Sequence, residues 1–314
     1  MDGKSARLFV EHLITASNKK QLLNRQLTYD FLNQGAEEFV ALTDAVKETQ
    51  TITTVASTAN YDLNTDFLKL WLKDDDPRGG DYFILYSDGT NTYTILFKPY
   101  QKVIYDNDTS EILIPSYFTL LEKTSLPSQV TATTSAAGTE SGGQSTLTDG
   151  TAAFSNNVSI RDIVHNSTQD TTGVILSVTS GTALVTAVFD RTGNPGGWAS
   201  GDTYVIQPAH RMQLQFTPIP STASHTATVY YVAKPNPVYS DYGIWQIQDQ
   251  YHKAFCYYAA HLYLVEDELR EPDQGIKVAL SNKYMDKFNE IARRARRDID
   301  LSLAKTGYSM RMVK

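Results

Sequence analysis

From Tyr251 onward the apolar residues Tyr251, Phe255, Tyr258, Leu262, Val265 and Leu269 step by 4, 3, 4, 3 and 4, the repeat of one helix face. Ala254, Tyr257, His261 and Leu264 give the same helix a second apolar face. A helix apolar on two faces must be packed from two sides. Glu271-Pro272-Asp273 breaks it and starts another helix, whose inner stripe is Leu280, Tyr284, Phe288, Ile291, Ala295 and Ile299. The stretch from about Ser5 to Lys47 has helical spacing too and reads as two helices. Leu23, Leu27, Phe31 and Gly35 stand four apart there, and Leu32, Ala36, Phe39 and Leu42 continue the seam.

Between these ends the period changes. "YFILYSDGTNTYTILF" is two β-type runs joined through Ser87-Asp88-Gly89-Thr90, where Asp-Gly suits a tight hairpin. A second hairpin is expected to turn at Asp106-Asn107-Asp108, and a third to span "MQLQFTPIPSTASHTATVYYVAKP" about its Pro-Ser-Thr turn. "PSQVTATTSAAGTESGGQST" is small, polar and turn-rich, and reads as a linker or long loop. Short strands follow at 159–165, 173–178, 183–189 and 203–206, with almost no helix signal, the pattern of a small barrel or sandwich. Its ends, near Leu126 and Pro208, should lie close together, as an inserted domain requires.

The expected fold is α+β. A bundle of N- and C-terminal helices packs on antiparallel hairpins, and residues 127–207 form an inserted all-β domain. Residues 1–126 and 208–306 make the discontinuous core, and 307–314 a C-terminal tail.

Composition excludes several functions. Lys and Arg number 28 against 35 Asp and Glu, a net charge of −7 where a general nucleic-acid binder would be basic. Cys256 is a lone cysteine in an apolar run, so no disulfide framework or cysteine zinc site can be built. The chain has neither a signal-peptide core nor a run of 18 apolar residues, and is expected to be soluble, with no membrane partner. P-loop, H-E-x-x-H and G-x-S-x-G signatures are missing, and "DPRGGDY" and "GNPGGW" read as loops. Asp106, Asp108 and Ser110 imitate the start of a calcium loop, but Glu111 and Tyr117 stand where Gly and Glu are needed. Asp74–Asp76 reads as a solvated turn, and the six histidines are scattered. Neither a catalytic residue, nor a metal ligand, nor a cofactor is nominated.

One charged cluster stands out. Arg293, Arg294, Arg296 and Arg297 lie opposite the apolar stripe of the last helix. They form a solvated face with Glu290 and Arg294 paired at i,i+4, a subunit contact, or a surface for DNA phosphates.

The series "LTYDFLNQGAEEFVALT", "TITTVASTANYDLNTDFLKLW", "MQLQFTPIPSTASHTATVYYVAKPNPV" and "QDQYHKAFCYYAAHLYLVEDE" resembles the head-to-tail adaptor (head completion) proteins of tailed bacteriophages. The resemblance covers most of residues 20–125 and 209–300. It rests on the Leu32-Asn33 pair, the turn Tyr61, Leu63, Asp66, Phe67 and Leu68, Pro218 and Pro220, the Tyr230-Tyr231 strand with Pro235 after it, and the Tyr-rich helix. Asn64 stands where the family often has Pro, which leaves the turn less rigid. The insert looks like a module recurring in phage virion proteins, with Phe154, Val158, Asp162, Val164, Trp198, Gly201, Asp202, Tyr204 and Ile206 in the matching places. It is expected to decorate the outside and meet another virion component.

The resemblance implies a structural protein made in the bacterial cytoplasm and built into the virion neck. Its copies would form a homo-oligomeric ring, a dodecamer, beneath the portal protein. That ring would continue the DNA channel to a downstream tail or nozzle protein, and DNA would pass without sequence-specific binding. It further implies portal contacts by Gly307, Tyr308, Met310, Arg311 and Met312. The subunit interface is expected at Tyr257, His261, Leu264, Arg293 and Arg297. The turn at 61–68 should lock the N-terminal helices to the sheet. Two other readings stay open: a ring-forming tail or neck protein that never meets the portal, and a carbohydrate-binding surface protein suggested by the Trp198 loop.

Overall fold

The computed structural model describes residues 1–15, 24–71, 82–100, 110–123, 128–270 and 275–311. The Asp106-Asn107-Asp108 turn, the Asp74–Asp76 run, the Glu271-Pro272-Asp273 break, Leu23 and Met312 lie outside the described residues. So do the side chains of Leu269 and of residues 300 onward. The chain is a mixture of helix and strand in two compact units, Val46–Leu126 with His210–Lys234, and Met1–Ala45 with Pro127–Ala209 and Pro235–Lys314. These cuts run along another line than the composition shifts, placing 127–209 in one unit with the terminal helices.

The first unit holds a large sheet and a separate pair of strands. Its strands are β1 (Lys47–Thr53), β2 (Asn60–Asp62), β3 (Phe67–Leu70), β4 (Phe83–Ser87), β5 (Thr92–Phe97), β6 (Glu111–Ile112) and β7 (Tyr117–Glu122). After seven strands in the other unit come β15 (Met212–Thr217), β16 (Ile219–Pro220) and β17 (Thr226–Ala233). In the large sheet the order is β1-β17-β4-β5-β7-β15-β2, with β3 also beside β17, and β6 and β16 make the separate pair. Alternate residues Ile84 and Tyr86, Leu214 and Phe216, and Ala227, Val229 and Tyr231 are buried, the period of a strand with one face in a core. The two edges nearly meet, because the Gln50 amide donates to the Asp62 carbonyl (3.1 Å) and accepts from the Asn64 N–H (2.9 Å).

β4 and β5 pair in register from Phe83 opposite Leu96 to Ser87 opposite Thr92, with Gly89 left-handed (φ 90°) in the connection. The third expected hairpin is not one. β15 and β17 are separated by β4, β5 and β7. The chain leaves β15 at the cis bond Thr217–Pro218, pairs β16 in parallel with β6, and enters β17 across the sheet. Pro218 has no N–H with which to extend the ladder.

In the second unit three long helices pack around a fourth. They are α1 (Gly3–Thr15), α2 (Arg25–Thr43), α3 (His252–Arg270) and α4 (Gly275–Arg311). α2 starts at Asn24, whose side chain accepts from the Leu27 N–H (3.1 Å), and stops at Asp44, which turns left-handed (φ 56°). Tyr29, Leu32, Ala36, Phe39, Val40 and Thr43 make its buried seam. Leu42 is 45% exposed, because the 3.6-residue period carries the seam from Phe39 to Thr43 instead. α3 packs against α1, α2 and α4, which explains its two apolar faces. At Gly35 a Cβ would come within 3.0 Å of the Phe255 Cβ, so the absence of a side chain sets how closely α2 and α3 approach.

The same unit holds a seven-stranded sheet of β8 (Val130–Thr133), β9 (Glu140–Ser141), β10 (Gln144–Thr148), β11 (Ile163–Asn166), β12 (Thr171–Ser180), β13 (Ala183–Phe189) and β14 (Thr203–Gln207), in the order β8-β14-β11-β12-β13-β10-β9. The expected linker therefore contains two strands and the start of a third. Its alternation of Val130 and Ala132 with threonines is strand chemistry, and both pack on the core. Val130 lies opposite Ile206, so the ends of this segment are close. Leu147, Phe154, Val158, Val164, Ile175, Leu184, Val188, Trp198, Tyr204 and Ile206 form the core. The polar tips of two large members are satisfied, Trp198 Nε1 by Thr186 Oγ1 (2.9 Å) and Tyr204 Oη by Asp149 (2.7 Å).

Two turns in this sheet repeat one another. Asp162 accepts from the Ser159 N–H (2.8 Å) and Asp202 from the Ala199 N–H (2.8 Å). Each is preceded by a left-handed residue, Arg161 (φ 77°) and Gly201 (φ 89°). The Arg161 and Gly201 N–H groups reach neighbouring carbonyls at 2.9 and 3.0 Å. Since β11 and β14 pair antiparallel, the two turns sit at opposite ends of one strand pair.

Candidate functional site

The turn at 61–68 is fixed by its own sheet. Tyr61 Oη accepts from the Val55 N–H (3.0 Å) and donates to the Thr58 carbonyl (3.0 Å), while its ring meets Phe216 edge-on. Leu63 and Phe67 are buried, Phe67 against the Tyr231 ring at 5.5 Å, and Leu68 is half-buried. The Tyr231 hydroxyl donates to Asp66 (3.0 Å) and accepts from the Asn64 amide (3.1 Å). Asn64 thus supplies a side-chain tie in the place where proline would supply stiffness. Burial, the largest influence, and the Asp66 carboxylate together push the Tyr231 phenol up to about 12, so it stays a donor.

The Leu32-Asn33 pair has a separate task. Leu32 is wholly buried, and the Asn33 side chain pairs with both backbone groups of Val238, accepting from its N–H (2.9 Å) and donating to its carbonyl (3.1 Å). Its oxygen also accepts from the Trp245 indole (3.1 Å). This clip holds the segment after β17 on the helices. From Trp245 the segment alternates, with Trp245 and Ile247 buried and Gln246 and Gln248 exposed. Tyr242 and Ile244 precede it, 74% and 65% exposed, and sequence reasoning passed over them.

The expected subunit face divides. The Tyr257 ring packs on Phe9 and Tyr284, His261 Nδ1 is 2.7 Å from the Ser281 hydroxyl, and Leu264 is 2% exposed. Tyr257 thus contacts α1 and α4 of its own chain, His261 contacts α4, and Leu264 is buried. Arg293, Arg294, Arg296 and Arg297 are exposed on α4. The expected Glu290–Arg294 pair is replaced, because Glu290 takes Lys287 one turn back (2.7 Å) and Arg294 stands 3.9 Å from Asp298. Arg296 reaches Asp44, at the end of α2, at 2.5 Å.

Gly307, Tyr308, Met310 and Arg311 fall within the backbone span of α4. Trp198 is 3% exposed and hydrogen-bonded, which removes it as a platform for stacking a sugar. Burial pushes the Cys256 thiol up to about 12, which disfavours a thiolate. Among the described residues, no three His, Cys, Asp or Glu converge as metal ligands, and no helix is long and apolar enough to cross a membrane.

A family model described as SU10 adaptor protein matches residues 122–307. The match starts beyond the first two helices and most of the first seven strands, and runs through β8–β14 and α3 into the end of α4. A comparison with curated proteins finds no match.

Proposed function

The chain belongs to the SU10 adaptor protein family, a family of bacteriophage structural adaptors, and on that premise we propose that it forms a ring beneath the portal. The ring, a dodecamer in this reading, continues the DNA channel from the portal toward a tail or nozzle protein and is part of the virion neck. The family match over 122–307 is the observation that carries the proposal. The net charge of −7 agrees with it, since a negative wall does not trap a passing polyanion. α4 delivers residues 307–311 at the end of a 37-residue helix, which favours that segment, with Met312 beyond it, as the contact with the portal.

The test is sedimentation of the purified chain, alone and with portal rings. Assembly that depends on portal supports the adaptor reading, whereas a ring indifferent to portal favours a tail or neck component. Truncation before Gly307 should abolish attachment, and normal attachment by the truncated chain would remove the C-terminal segment from the reading. Phe67→Ala tests the turn's proposed part in holding the ring angle, and normal rings from that variant would discredit it.

A further inference from the structure

We infer that the outer arginine face of α4 is the seam between neighbouring copies, seated on the acidic body of the next chain. The inference rests on the ring reading above and names the contact that closes the ring. Three observations carry it. The apolar residues expected at a subunit face, Tyr257, His261 and Leu264, are used inside the chain. Arg293 and Arg297 form no ion pair among the described residues, and Arg294 has only the 3.9 Å contact with Asp298. The charge is also split. Gly275–Arg311 holds nine Lys and Arg against four Asp and Glu, a surplus of five in a chain of net charge −7, so the remaining residues carry −12.

A last helix with a surplus of positive charge and a remainder of net negative charge supply two different, complementary partners, which is what a closed head-to-tail ring demands. Opposite potentials also steer such surfaces together and reject like-charged approaches. DNA is the other polyanion this face could take, but a duplex reaching the arginines would approach a body of charge −12. A second copy meets attraction from the same arrangement.

The test is Arg293→Glu with Arg297→Glu in the full chain, leaving Arg296 on Asp44. The double variant should melt like wild type and raise the concentration needed for rings about a hundredfold, roughly tenfold per reversed charge. Wild-type assembly should also weaken with added salt. Independently, mixed heavy-isotope and ordinary chains treated with a carbodiimide should give crosslinks between copies from Lys283 or Lys287, both exposed on α4, to carboxylates. Rings at the wild-type concentration, or crosslinks within copies only, would overturn the seam while leaving the adaptor reading intact. Normal rings with lost affinity for a 50-base-pair duplex would also overturn it and assign the face to DNA. Absence of rings from wild type with portal present would remove the reading beneath it.

Discussion

Arg161 occupies a backbone conformation that its counterpart leaves to glycine. It sits at φ 77° where Gly201 sits at φ 89°, and a side chain there costs about 1 kcal/mol. Its guanidinium, mostly buried, pairs with Glu37 on α2 and donates to the Pro235 carbonyl. A charge-assisted bond to a carbonyl is worth about 1.5–3 kcal/mol. Glu37 is a third exposed, which holds its share of the pair below about 1 kcal/mol. Arg161→Gly relieves the strain, loses both contacts and gains freedom when unfolded, for a net loss of about 2 kcal/mol. Arg161→Ala keeps the strain as well and should lose about 3 kcal/mol. Arg161→Lys, able to reach one acceptor, should lose about 1 kcal/mol. Chemical denaturation of the full chain should therefore rank wild type above Lys, then Gly, then Ala. A glycine variant as stable as wild type would mean that the clasp contributes nothing and the reasoning fails.

Asn33→Ala should cost about 2–4 kcal/mol, since it strands both backbone groups of Val238 and the Trp245 indole in a buried site. Urea denaturation followed by tryptophan fluorescence measures this, and a loss under about 0.5 kcal/mol would refute the clip. At Asp62 burial pushes the carboxyl up, but Lys123 (2.6 Å) and Gln213 (2.8 Å) outweigh it and hold it below its ordinary value. A lowered folded value stabilises above the unfolded pKa of about 3.9 and is lost as pH falls through the folded value. Asp62→Asn should accordingly lose less stability than wild type between pH 6 and pH 3, and parallel acid profiles would contradict the pairing.

What could be read in the chain was local. Tyr61, Leu63 and Phe67 are large apolar residues at a turn, and the structure buries all three. Phe154, Val164, Trp198 and Tyr204 meet in one core, while Asp162 and Asp202 brace two repeated turns of the same sheet. What failed depended on distant partners. Alternation in β15 and β17 marks both as strands, but carries no trace that three other strands lie between them. The second face of α3 could be seen, yet whether α1 and α4 or another copy covers it depends on how the chain folds back. Asn33 was legible as a motif residue only, because its task depends on a backbone 205 positions away.

Gln50 shows how a sheet can guard its open edges against pairing with another chain. An open β-edge at high local concentration invites an unlimited stack of strands. Here one side-chain amide imitates a peptide group across the gap, giving and taking a bond where the last strand would stand. In the proposed ring, neighbouring copies would thereby be denied backbone pairing at that gap, so adhesion there would come from side chains that can be counted and varied.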